Sequence, residues 1–145
     1  MRALWEERDP RVPPHRRPAS DGTPTEQQLA ERLASPDART AGLMAVERIS
    51  EGDAIGYCGI NEPASAKHDP ELAFELLRRS WGRGYATEAA SAVLSAARAA
   101  GRPRLAADVW DWNAPSRRVL AKLGFVEVGR TVDEDGVSIT ATIEL

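Results

Sequence analysis

Residues 71–98 read ELAFELLRRSWGRGYATEAASAVLSAAR, and the fold turns on how this stretch divides. Residues 71–77 alternate as a strand, with Leu72, Phe74 and Leu76 on one face. Residues 80–85 form a turn with Gly82 and Gly84 two apart. From residue 86 to residue 100 the chain is built of strong helix formers, with Ala, Val and Leu recurring at helical spacing, and Gly101 closes the run. A strand therefore feeds a glycine-bearing turn that opens a helix. The first amides of such a helix lack internal partners and carry the positive end of the peptide dipoles, and glycines let the backbone approach a ligand closely. The predicted guest is a phosphate or diphosphate held mainly by main-chain N–H groups, with Arg78, Arg79 and Arg83 as mobile cationic cover. The same pattern also serves as a plain tight turn that packs a helix on a sheet. Two better-known phosphate readers are excluded. Thr87 stands where G-x-G-x-x-G needs its third glycine, and no G-K-[ST] tripeptide occurs.

Outward from this unit, residues 104–110 alternate as another strand, and residues 115–123 form a helix with Pro115 near its first turn and Gly124 at its end. Residues 125–131 and 137–145 form a closing hairpin around residues 133–136, and residues 42–49 and 54–60 another around residues 50–53. Residues 2–8 suit a short helix anchored by Leu4. Residues 11–22, rich in proline and arginine, suit an irregular, mobile loop, and residues 25–34 a helix capped by Thr25 and ended by Ser35-Pro36. The order predicts a mixed α/β (α+β) fold with a mostly antiparallel sheet flanked by helices. At 145 residues the whole chain, 1–145, is expected to be one domain, with residues 1–22 partly irregular.

Composition is ordinarily globular: 42% hydrophobic, 28% charged, net charge −3. Mild acidity argues against a general nucleic-acid partner, which needs clustered basic charge. No apolar run approaches the roughly 20 residues that cross a bilayer. The opening MRALWEERDP lacks the apolar core of a signal peptide. One cysteine, Cys58, permits no internal disulfide and no metal cluster, and reads as a small buried hydrophobe. A cytoplasmic protein without metal, membrane or nucleic-acid partner is expected.

The strings SWGRGYATEAA (residues 80–90) and NAPSRRVLAKLGF (residues 113–125), in this order and at this spacing, resemble the GCN5-related N-acetyltransferases (GNAT), and most of all their RimJ/RimL-like branch of ribosomal-protein N-terminal acetyltransferases. ELAFELL and AIGYCGI look like strands of that family, and the resemblance runs from about residue 4 to residue 145. It implies acetyl-CoA as acyl donor. The family's diphosphate turn, Q/R-x-x-G-x-G/A, matches the region of Trp81, Gly82, Arg83, Gly84, Tyr85 and Ala86, with Arg79 and Thr87 beside it. The resemblance further implies that main-chain groups around Leu76 and Leu77 bind the pantetheine arm, that this strand and the next splay apart, that Asn113 touches the pantetheine, and that Ser116 stands near the sulfur. Lys122 suits a contact with the CoA phosphates or a plain exposed helix lysine.

An amine must shed a proton to attack a thioester, and the departing thiolate must be stabilised. By the resemblance, Glu71 matches the strand position of the base in some relatives and is favoured as proton acceptor, with Glu75 as runner-up; alternation puts both on one face with Ala73, where they also suit plain edge or solvent carboxylates. The acidic turn of Asp133, Glu134 and Asp135, or an ordered water, is a further option. Ser116 is favoured at the thiolate, although a hydroxyl there also suits a helix cap. Trp110 and Trp112 suit the walls of the acceptor pocket or simple packing.

Relatives open with a strand before their first helix, whereas this sequence begins inside that helix, so the first strand is expected to be missing. Residues 42–49 then form an exposed edge suited to a homodimer. The function expected is transfer of acetyl from acetyl-CoA to a primary amine acceptor, a peptide N-terminus or a small molecule. The alternative is a non-catalytic acyl-CoA-binding or regulatory module on the same fold; a generic phosphate-binding domain is a third reading.

Overall fold

In a computed structural model of the chain, the alternating stretch at its centre forms strand β3 (Glu71–Leu76) and the run of helix formers forms a helix at Tyr85–Ala99. The structure describes residues 2–19, 21, 24, 25, 27, 28, 30, 31, 42–62 and 68–145. In chain order the elements are helix α1 (Arg2–Glu6), a 3-10 turn at Pro14–Arg16, strands β1 (Leu43–Arg48), β2 (Asp53–Asn61) and β3, a 3-10 turn at Arg78–Ser80, helix α2 (Tyr85–Ala99), strand β4 (Arg104–Trp110), helix α3 (Ala114–Leu123), and strands β5 (Val126–Asp133) and β6 (Gly136–Glu144). Residues 27, 28, 30 and 31 are helical, and Thr25 and Gln28 exchange the two bonds of a capping box. The rest of the helix expected over 25–34, and its stop at Ser35-Pro36, lie outside the described residues.

The strands form one sheet in the order β1-β2-β3-β4-β6-β5. Hairpins join β1 to β2 and β5 to β6 at the turns read from the sequence, so these pairs are antiparallel. β2–β3 and β4–β6 are antiparallel as well, and among the described strands only β3–β4, joined across α2, runs parallel. β1 and β5 are the two edges. Helix α2 buries Ala90, Val93, Leu94 and Ala97, which share one core with Leu72 of β3, Leu105, Ala107 and Val109 of β4, and Ile139, Ala141 and Ile143 of β6. Helix α3 adds Leu120 on the same side. It ends where Gly124 turns left-handed (φ +94°), a conformation that glycine adopts without cost, and Phe125 N–H returns to the Leu120 carbonyl at 3.0 Å.

The other face of the sheet carries the N-terminal segment. Arg8 bonds to Glu75 on β3, whose side chain points away from that of Leu76, and to the carbonyl of Arg16 at 2.7 Å. The described part of residues 11–22, read as an irregular, mobile loop, holds a 3-10 turn, buries Val12 and meets Arg8 through the Arg16 carbonyl.

Candidate active site

A split in the sheet organises the site. β3 and β4 pair at a single position, Glu71 with Ala106, where Ala106 N–H donates to the Pro70 carbonyl at 2.9 Å. Beyond it the two strands separate, as the sequence reading expected. Leu77 N–H bonds to the Ile55 carbonyl at 2.8 Å, so residues 71, 73, 75 and 77 turn their main-chain groups to β2. By alternation, Phe74 and Leu76 turn theirs into the split, and on β4, in phase with Ala106, so do Asp108 and Trp110. The Leu76 carbonyl already has a partner, the Trp81 indole N–H at 2.7 Å. A cavity of about 1000 Å3 takes in the split and is lined by residues from both faces of the sheet.

On the helix face the cavity is lined by Trp81, Gly82, Gly84, Tyr85, Ala86 and Thr87 of the turn and of α2, and by Asn113, Ser116 and Lys122 of α3. Gly82 and Gly84 hold φ of +73° and +88°, and a Cβ on either meets no atom within 4 Å. The glycines are therefore required by conformation, and open space lies over them. Among the described residues no side chain caps α2, and its first intrahelical bond runs from Glu88 N–H to the Gly84 carbonyl, so the amides of Tyr85, Ala86 and Thr87 have no partner inside the helix. Arg83 and Lys122 have no ion-pair partner among the described residues.

Three expected cofactor residues are not brought to the cavity. Leu77 is buried with its N–H spent on β2. Arg79 is held by Asp53 at 2.9 Å, and the Asp53 carboxyl, gripped first by Arg48 and then by Arg79, falls to about 2. Arg83 lies outside the lining. Nor is Arg78 loose cover: its main-chain N–H bonds to the Glu7 carboxylate at 2.7 Å and its Nε to the Glu7 carbonyl at 2.8 Å. The helix-cap reading of Ser116 is also corrected. Asn113 caps α3, its side-chain oxygen accepting Ser116 N–H at 3.3 Å, so the serine hydroxyl is not used as the cap.

The opposite face holds the carboxylates. Glu75 receives Nε and Nη2 of Arg8 at 2.7 and 2.6 Å, and the Tyr57 hydroxyl at 3.0 Å. Burial, followed by the Glu75 charge, pushes the Tyr57 phenol up to about 12. Glu71 stands at the closed end of the split without an ion-pair partner among the described residues. Burial and then the neighbouring Asp108 charge raise its carboxyl above the ordinary glutamate value, although the Asp108 main-chain N–H draws it down. Asp108 accepts the Thr140 hydroxyl at 2.6 Å. Trp110 and Trp112 stack in parallel with centroids 6.5 Å apart, and Arg11 lies 4.2 Å over Trp112. Both tryptophans line the cavity, whereas Asp133, Glu134 and Asp135 do not.

Sequence reasoning missed Phe74, Asp108 and the hold of Arg8 and Tyr57 on Glu75. Alternation of β4 in phase with its pairing to β3 is the signal that exposes Asp108, but that phase is visible only once the strands are paired. The Cys58 thiol is buried and pushed up to about 11 by desolvation, in keeping with its reading as a packing residue.

Comparison with known proteins gives a consistent result. A family model described as the acetyltransferase (GNAT) domain matches residues 2–126. An uncharacterised N-acetyltransferase of Bacillus subtilis (strain 168), YoaA, is 33% identical over 85 residues, 58% of this chain and 48% of that protein. The chain thus matches about half the length of this curated relative. Among solved structures, a Bordetella pertussis protein assigned to the GnaT-family acetyltransferases superposes with a TM-score of 0.72 at 25% identity, over 97% of this chain and 86% of the other. Mycobacterium smegmatis RimJ, solved with CoA-disulfide, superposes with a TM-score of 0.65 at 25% identity, over 81% and 60%.

Proposed function

We propose that this chain, which belongs to the GNAT acetyltransferase family, moves the acetyl group of acetyl-CoA onto a primary amine by direct attack, with Glu71 as the proton acceptor. Acetyl-CoA supplies the acetyl group already activated as a thioester. In this reading the Gly82–Gly84 turn and the first amides of α2 hold the diphosphate, with Lys122 beside it. Main-chain groups of Phe74 and Leu76 line the pantetheine arm, and Asn113 and Ser116 attend its sulfur end. The amine enters from the opposite face, between Glu71 and the Trp110–Trp112 wall. As the neutral amine bonds to the thioester carbon and the C–S bond breaks, Glu71 takes the proton that the nitrogen sheds, and the Ser116 hydroxyl donates a hydrogen bond to the departing thiolate. Alignment of both reactants in one cavity supplies much of the rate.

The observation that carries this reading is the contrast between the two β3 carboxylates at the split: Glu75 is bonded by Arg8 and Tyr57, whereas Glu71 has no ion-pair partner among the described residues, feels only a lesser pull from the Arg16 charge, and has a raised proton affinity. The test is thiol release from acetyl-CoA across peptide N-termini and small-molecule amines, with calorimetry of acetyl-CoA binding. Glu71→Gln is expected to bind acetyl-CoA as the wild type does but to lose turnover; turnover that survives the substitution assigns the proton to another group. Kinship with the RimJ/RimL-like branch, supported by the SWGRGYATEAA and NAPSRRVLAKLGF strings, ranks protein N-termini first on the panel, in a cytoplasmic setting. A homodimer formed on the open edge of β1, where Leu43 and Met44 are exposed, completes the reading, and a monomeric mass by light scattering removes it.

A further inference from the structure

We propose that Trp81 is a positioning residue: its indole N–H, bonded to the Leu76 carbonyl, ties the diphosphate-binding turn to the open edge of β3 and keeps the split shaped for acetyl-CoA. The inference rests on the acetyl-CoA site argued above. Trp81 is 52% exposed, too open for a residue whose purpose is core packing. Its Nε1 nevertheless meets a carbonyl five positions earlier at 2.7 Å, across the 3-10 turn of Arg78–Ser80. That carbonyl belongs to a main chain turned into the split, where β4 no longer reaches it. Left bare, it is a free acceptor on a strand edge, available to any N–H that closes the gap.

The bond also fixes the turn. Gly82 and Gly84 have no side chains to anchor them, and the space around them is open. Trp81, immediately before them, is held at its indole N–H by Leu76, at its main-chain N–H by the Arg78 carbonyl at 3.0 Å, and at its ring by the Arg78 guanidinium, 5.7 Å from the centroid. Arg78 is in turn held by Glu7, so a connected path runs from the N-terminal segment to the turn. A turn ordered before the ligand arrives loses less entropy on binding. With its acceptor spent, Leu76 keeps only its N–H for the pantetheine arm, and the Phe74 carbonyl becomes the acceptor for the arm's amides.

The experiment compares the wild type with Trp81→Phe, which keeps an aromatic ring without the N–H, and Trp81→Gln, which restores a donor of similar reach without the ring. Calorimetry gives Kd for acetyl-CoA, and steady-state assays give KM for acetyl-CoA and kcat. Loss of one neutral hydrogen bond is expected to raise Kd and KM about fivefold in Trp81→Phe with kcat nearly unchanged, and Trp81→Gln is expected to recover much of the loss. Equal or tighter binding by Trp81→Phe, a loss confined to kcat, no recovery in Trp81→Gln, or a collapse of the thermal melt in Trp81→Phe each overturns the assignment. A wild-type protein that fails to bind acetyl-CoA overturns the functional reading itself, and is thereby distinguished from failure of the Trp81 inference alone.

Discussion

Moving a carboxylate out of water penalises its charged form unless a cation or hydrogen-bond donors compensate. Glu75 has that compensation from Arg8 and Tyr57, and Glu71 largely lacks it. Because Glu71 keeps its proton to higher pH in the folded protein than in the unfolded chain, the folded state binds more protons between the two values. Stability from this group is therefore fully present below the unfolded value and is lost as pH rises through the folded one. Glu71→Gln removes that cost. Thermal melts are expected to show the variant more stable than wild type at pH 8, with the advantage gone in acid. The same raised value sets the acid limb of kcat/KM above the ordinary glutamate range, and Glu71→Gln is expected to lose at least about a hundredfold in kcat/KM. Alternation alone made the two glutamates legible as a same-face pair. What separates them is Arg8, 67 residues earlier in the chain, and no local pattern points to it.

Helix α3 was legible at its end, whereas its capping residue was not settled by the sequence. Gly124 after an apolar periodic run marks a stop whatever the surroundings, whereas Asn113 and Ser116 are both capping types, and the structure chooses Asn113. Asn113→Ala is expected to cost about 1 kcal/mol in urea unfolding, the ordinary loss of a cap. Ser116→Ala is expected to leave the unfolding midpoint unchanged and to lower kcat, since its hydroxyl is not the cap. The N-terminal segment offers a stronger test of an element's attachment. Arg8 and Glu75 retain only 10% and 20% of their side-chain exposure, so Arg8→Ala leaves a largely desolvated carboxylate without its partner. A loss of about 3 kcal/mol by denaturant unfolding is expected, together with a higher KM for the amine. A double-mutant cycle with Glu75→Gln is expected to recover part of that loss, because both charges then disappear.

Across the whole molecule, hairpins announce themselves in sequence through their turns, but a parallel pair joined by a helix does not reveal where its strands stop pairing. The strand order β1-β2-β3-β4-β6-β5 places that one parallel pair at the centre of an otherwise antiparallel sheet, and its single paired position leaves the split. The split has a signature independent of catalysis. In the free protein the amides of Phe74 and Leu76 face the cavity, whereas those of Ala73, Glu75 and Leu77 belong to the ladder with β2. Native-state hydrogen exchange is therefore expected to alternate along β3, fast at 74 and 76 and slow at 73, 75 and 77. When exchange at 74 and 76 requires an empty site, acetyl-CoA at 100 times its Kd slows those two amides about a hundredfold. The ladder amides respond only as far as global stability rises. Slow exchange at 74 and 76 without ligand means that β3 and β4 close in solution, and unchanged fast exchange with acetyl-CoA bound means that the pantetheine arm lies elsewhere.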